Sequence, residues 1–280
     1  MGEHNINKDT FQVSFSNTHN DADVYEVNER YIHYHTPNQL IKYYANYFQY
    51  KVMPDVDTFM NDYERQKAFH EQRGQKHALF IFPEKEVLDD ALQEKAKALG
   101  FTVEKMELYL LKEMPKSKDT EIEVVQVLKE NDVFLDYLEV CREGDLEYGE
   151  EFADLKARTH RRDVLNPQIL QFVAYQHGFP AGKVNAVESA KYIEIDDLYV
   201  LDAMRKQGVG TALQLAVWRY ASQVSKQVIL IADGNDAPRE MYQRQGYALV
   251  SERYELLRVP SADNLTFNNS TNSNNDISLG

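Results

Sequence analysis

The stretch "IEIDDLYVLDAMRKQGVGTALQLAVWRYA", Ile193 to Ala221, decides how the rest of the chain is read. It opens as a β-branched and aromatic strand, crosses a turn holding Gly208 and Gly210 behind the basic pair Arg205 and Lys206, and runs on as helix-forming sequence. In that helix Val209, Leu213, Ala216, Val217, Tyr220 and Val224 fall close to one face. Such a turn suits an anion: glycines without Cβ let backbone N–H groups approach a phosphate, and the helix N-terminus adds partial positive charge. Three phosphate-binding patterns compete for it. A Walker A loop needs Gly-Lys-Ser/Thr, but Thr211 follows Gly210 directly. A Rossmann fingerprint needs a third glycine where Leu213 stands, and it comes early in a domain. Arg-x-x-Gly-x-Gly is met in full by Arg205, Gly208 and Gly210, with a purely steric use of glycine as the alternative.

Downstream, "VILIAD" (228–233) is an apolar run fitting a buried strand. "APREMYQRQG" (237–246) has Pro238 near its first turn and ends on Gly246, as helices do. Upstream, "EIEVVQVL" (121–128) reads as a strand, 133–165 as interrupted helix, and the segments around "HGFPAG" as a hairpin. "KEMPKSKDTE" (112–121) is polar and reads as a linker, so the chain divides into residues 1–115, 116–260 and a polar tail, 261–280, too poor in apolar residues to order itself. An ungapped alignment of Gly100 with Gly246 sets "GFTVEKMELYLLK" against "GYALVSERYELLR", each preceded by an apolar strand and a helix. The echo reads either as common helix-end physics or as a duplicated half-fold, and the first half has no counterpart of the glycine turn.

The 193–221 stretch, followed by "VILIADGNDAPREMYQRQGY", resembles the core of the GNAT superfamily of acyl-CoA-dependent N-acetyltransferases. A strand ending in Leu-x-Val, the Arg-x-x-Gly-x-Gly turn, and Asn235, Tyr242 and Gly246-Tyr247 at the spacing Asn-x6-Tyr-x3-Gly-aromatic carry the resemblance. It implies an α/β fold, a mixed, mostly antiparallel sheet with flanking helices over 116–260; the echo, read as a duplication, adds a smaller N-terminal α/β unit of related fold. The resemblance implies acetyl-CoA as co-substrate, its pyrophosphate held by Arg205, Lys206, Gln207, Gly208, Val209, Gly210 and Thr211. Its pantetheine would pair with the backbone of Leu198 and Val200 where their strand splays from 228–233, and Asn235 would bond the pantetheine or cap the helix. Tyr242 would protonate the departing thiolate, with a plain core aromatic as the alternative. Glu194 would accept the amine's proton or orient it, with Asp196 second; solvated strand charges are the other reading. Strand alternation sets Glu194 and Asp196 on one face with Leu198 and Val200, and Asp197 on the other. The acidic segment 141–155 falls where the family builds its acceptor wall, though a solvated helix explains it equally well. The first half is expected to shape the acceptor site without binding coenzyme. Against an N-acetyltransferase acting on a primary amine stands a non-catalytic acetyl-CoA sensor.

Composition bounds the partners. In 280 residues, 43% hydrophobic and 11% aromatic, there is apolar surface for sizeable cores, and a net charge of −14 disfavours nucleic acid and anionic membranes while suiting a cationic amine. The single cysteine, Cys141, rules out an internal disulfide, and no leader-like or 18-residue apolar run is present, giving a cytoplasmic expectation. His33 and His35 share a strand face, but no ligand set completes a metal site, so no metal is expected and both read as surface histidines.

Overall fold

The computed structural model describes residues 13–116, 121–235 and 239–259. It is mixed α/β: one eleven-stranded sheet, largely antiparallel, carries six helices. The first half contributes β1 (Val24–Val27), β2 (Tyr31–His35), β3 (Asn46–Tyr50), α1 (Val56–Glu71), β4 (Ala78–Ile81), α2 (Asp90–Ala98) and β5 (Thr102–Leu111). The second contributes β6 (Ile122–Val127), α3 (Asp132–Asp145), α4 (Glu150–Asp163), β7 (Ile169–Gln176), β8 (Phe179–Glu188), β9 (Tyr192–Val200), α5 (Val209–Gln223), β10 (Gln227–Asp233), α6 (Arg239–Arg244) and β11 (Tyr247–Arg258). The β7–β8 turn is His177-Gly178, both at positive φ (52° and 82°), the two-residue geometry that matches strand twist.

The strand order β1-β2-β3-β4-β11-β5-β10-β9-β8-β7-β6 shows how the halves join. Each half has a parallel pair, β3 with β4 and β9 with β10, joined by a helix. The strand that follows then crosses into the other half: β5 pairs with β10, and β11 pairs with β4. The two exchanged strands pair antiparallel at the centre. The alignment of Gly100 with Gly246 superposes Met106 on Glu252 and Glu107 on Arg253; in the ladder Met106 faces Arg253 and Glu107 faces Glu252. Both halves thus share the order parallel strand, helix, parallel strand, helix, exchanged strand, and the sequence echo falls on the two exchanged strands. Gly100 and Gly246 occupy matching positions past α2 and α6, both left-handed (φ 84° and 93°), where a side chain would be strained.

Helix α5 lies on the sheet through Val209, Leu213 and Val217, which meet Ile193, Ile195, Leu198 and Val200 in the largest core cluster. Gly182 on β8 permits this closeness: a Cβ there would stand 2.9 Å from Val209 Cγ1. A second core, around Phe48, Phe59, Phe80 and Leu256, lies under α1 and α2 and includes a residue of the exchanged β11. The polar tail lies outside the described residues. Among those described, no helix is long and apolar enough to cross a membrane.

Candidate active site

β9 and β10 pair in parallel from Tyr192 opposite Gln227 to Ile195 opposite Leu230, and there the ladder ends. Both strands continue, β9 to Val200 and β10 to Asp233, each held on its outer edge only: Val200 pairs with Gly182 of β8, and Asp233 with Met106 of β5. Residues 196–200 and 231–233 therefore flank a wedge whose inward backbone groups are not paired across it. This is the splay the resemblance implies.

The turn closing one end of the wedge is built by its glycines. After a single 3-10 turn (Asp202–Met204), Lys206 takes a left-handed φ of 62°, costly for a residue with Cβ, and Gly208 follows at φ 91° as N-cap of α5. No side chain caps α5, so its first N–H groups, toward Val209, Gly210 and Thr211, are not taken by a cap. Arg205 folds back, its Nε donating to the Val200 carbonyl at 3.4 Å and its guanidinium paired with the exposed Asp202 at 2.9 Å, a surface pair of little strength. Gln207 bonds the Ala203 carbonyl and accepts from Gln176. Asn235 is exposed at the far arm; its own N–H donates to Asp233, and the residues it would cap lie partly outside the described residues.

The carboxylates correct one expectation. A β-bulge opens between Asn185 and Ala186, which face Asp197 and Ile195, leaving Asp196 as the extra residue on β9. The bulge shifts the alternation by one: Ile193, Ile195, Leu198 and Val200 all face α5, while Glu194, Asp196 and Asp197 lie on the opposite face. Glu194 and Asp196 thus do not share a face with Leu198 and Val200; the backbone wedge separates them. Glu194 is buried, and its Oε2 accepts the His19 N–H. Burial, reinforced by the Asp196 charge, pushes its pKa up to about 8. Asp196 is raised too, by burial and then by Asp197. Against its own burial, Asp197 is held down to about 2 by the buried Lys183 ammonium beside it.

On this face a cavity of about 420 Å³ opens at the wedge, with Glu194 and Asp196 on the β9 side and Ile231 on the β10 side. Its remaining walls come from β5, β11, the β2–β4 region and the 15–21 segment, so the first half supplies much of the enclosure. Residues 141–155, where the resemblance located an acceptor wall, do not line it. They fold as the end of α3 and the start of α4, with α3 packed on β8 and its Gly144 against Tyr199 of β9, and with Arg142 bridging Glu150 and Asp154.

Across the wedge, on the α5 face, Tyr242 is buried with its ring 4.6 Å from that of Tyr109. Its hydroxyl and that of neighbouring Tyr247 have no hydrogen-bond partner among the described residues. Burial, then the Glu107 charge, raises the Tyr242 pKa. Buried Glu107 accepts the Tyr109 hydroxyl and the Arg239 Nε, the latter at 2.7 Å. Sequence reasoning missed Tyr109, Glu107 and Arg239; the matching of Gly100 with Gly246 was the signal that 102–111 mattered. His33 and His35, expected at the surface, are buried: they pack against Phe69 of α1, and His35 Nδ1 is bonded to Asn46. Among the described residues no group of His, Cys, Asp and Glu could hold a metal ion.

Residues 135–247 match the Acetyltransferase (GNAT) family, and residues 13–109 match a domain of unknown function, DUF5613. No curated protein matches the sequence. A functionally unknown conserved protein from Staphylococcus epidermidis is similar at 31% identity and TM-score 0.80, covering 88% of this chain and 98% of its own. GCN5-related N-acetyltransferases from Sphaerobacter thermophilus (13% identity, TM-score 0.59, 87% and 85% coverage) and Kribbella flavida (12%, 0.58, 85% and 91%) share the fold.

Proposed function

We propose that this chain, which belongs in one family with the Staphylococcus epidermidis protein and whose residues 135–247 match the GNAT acetyltransferases, is an acyltransferase that transfers acetyl from acetyl-CoA to a primary amine. The observation that carries the reading is the wedge: two strands parting beside an uncapped, glycine-started helix on one face, with a buried carboxyl on the other.

The residues present fit the coenzyme. The open α5 N-terminus with Arg205 and Lys206 would hold its pyrophosphate, and the inward backbone of Leu198 and Val200 its pantetheine amides, as an added strand is held. The partnerless Tyr242 hydroxyl is a buried polar group in want of a ligand. Bound there, the coenzyme supplies an activated acyl thioester. The chain's own groups do the proton work. Attack needs a neutral amine, and Glu194, raised to about 8, is basic enough to accept the proton and still ionised in useful fraction near neutrality. Tyr242, raised by burial, keeps its proton at neutral pH, the state required of a donor to a departing thiolate. Asn235, on the opposite arm, would supply a further contact.

Turnover decides it: release of free thiol from acetyl-CoA should require both the full-length protein and an amine from a chemically varied panel. Saturable acetyl-CoA binding with no thiol release by any amine would favour the sensor reading instead.

A further inference from the structure

The cavity's charges do not cancel. Its lysine, Lys42, donates to both oxygens of Asp21 at 2.7 and 2.9 Å. Its arginine, Arg253, is spent on Glu255, which also takes the Tyr44 hydroxyl. Glu194 receives one peptide N–H. Asp196 is half-buried and forms no hydrogen bond or ion pair among the described residues; the charges of Lys156, Lys42 and Lys183 reach it only through space, and the bulge turns it to the cavity side. Two neighbouring carboxyls thus face one cavity, and neither is ion-paired among the described residues. The rest of the wall suits an alkyl ammonium. Ile231, Met106 and Ile81 give an apolar strip, and Tyr34 and Tyr47 bring stacked rings, 4.6 Å apart, to the first-half side.

Resting on the acyl-transfer reading above, we infer that the acceptor is a small amine bearing a second positive charge, a linear diamine or polyamine. One nitrogen lies at Glu194, where it loses its proton and forms the new amide, and the other remains an ammonium on Asp196. An uncharged or anionic group in place of the second nitrogen would cover the half-buried Asp196 and leave it unpaired, the costly arrangement. Asp196 is then the residue that sets specificity, and the bulge is what delivers it.

The test compares an α,ω-diaminoalkane with the n-alkylamine of equal length on the full-length protein, by thiol release and by thermal shift without coenzyme. The diamine should have the higher kcat/KM by about tenfold or more and should alone raise the melting temperature, in line with one charged hydrogen bond. Asp196→Asn should raise KM for the diamine roughly 10-fold to 100-fold with a smaller change in kcat, and Asp196→Glu should recover part of it. Equal use of the monoamine, or a KM shift of the same size for both amines in Asp196→Asn, overturns the inference while leaving acyl transfer intact. Diamine binding that depends on Asp196 without any thiol release upholds the site and removes acyl transfer. No diamine binding and no diamine turnover by the folded protein removes the site.

Discussion

The two halves share one course, strand, connection, helix, parallel strand, and part ways at the start of that helix. Where β3 passes to α1, Asp55 sits at the N-cap and its carboxylate accepts the Thr58 N–H at 2.7 Å. Where β9 passes to α5, the N-cap is Gly208 in left-handed conformation and no side chain reaches the helix. The first half supplies its own anion to the helix end; the second leaves that end for a ligand to satisfy. The two halves thus share a course but not an open helix end. What the first half keeps instead is wall, lent across the sheet to its partner's cavity.

If that contrast is right, the largest effect belongs to the turn. Titration of the full chain with acetyl-CoA should give one site, and Gly208→Val should abolish both the binding heat and the ligand-induced rise in melting temperature. Two sites per chain, or a shift that survives the substitution, would break the comparison. Next comes Tyr242→Phe, which keeps ring packing and removes one hydroxyl: turnover should drop by about 10-fold to 1,000-fold with acetyl-CoA affinity held. Glu194→Gln is expected to cost less and in a pH-dependent way. With its pKa near 8, the wild-type base is increasingly deprotonated as pH rises through 8, so the rate should climb there. The variant's deficit, roughly 100-fold near pH 8, should narrow above about pH 9 as the acceptor amine sheds its own proton. A deficit constant with pH would exclude Glu194 as the base.

The smallest effect sharpens the first half's role as structure. Burial holds His33 and His77 down to about 3 and His70 to about 4. All three are neutral when folded, whereas the unfolded chain takes up protons below its ordinary value of 6.5. Stability should therefore be full above about pH 6.5 and fall as pH drops toward 4, read as a falling melting temperature, with hydrogen exchange rising first in β2–β4. Exchange rising first in β8–β10 would contradict this.

How much of this was legible in the sequence follows the range of the interactions. The order β9, turn, α5, β10, α6, β11 was readable because strand and helix periods and glycine positions are local. The face of Asp196 was not, because a bulge depends on the neighbouring strand and leaves no periodic trace. Histidine burial escaped for a related reason: His33 and His35 alternate as a polar edge would, and only the packing of Phe69 over them makes that face interior. The cavity walls, drawn from residues more than a hundred positions apart, could not be inferred from the 141–155 segment at all. The Gly100 and Gly246 echo announced a repeat but not that its last strands trade places.

That trade has a consequence in time. The last strand to leave the ribosome, β11, is the one that covers β4 in the half made first and sits on β5 between the two halves. Until residues 247–258 emerge, the earlier half exposes an unpaired apolar edge at Ala78–Ile81 and cannot complete its core, which needs Leu256. The usual vectorial order, first domain finished before the second begins, is closed to this chain. Folding of both halves therefore concludes with the same twelve residues.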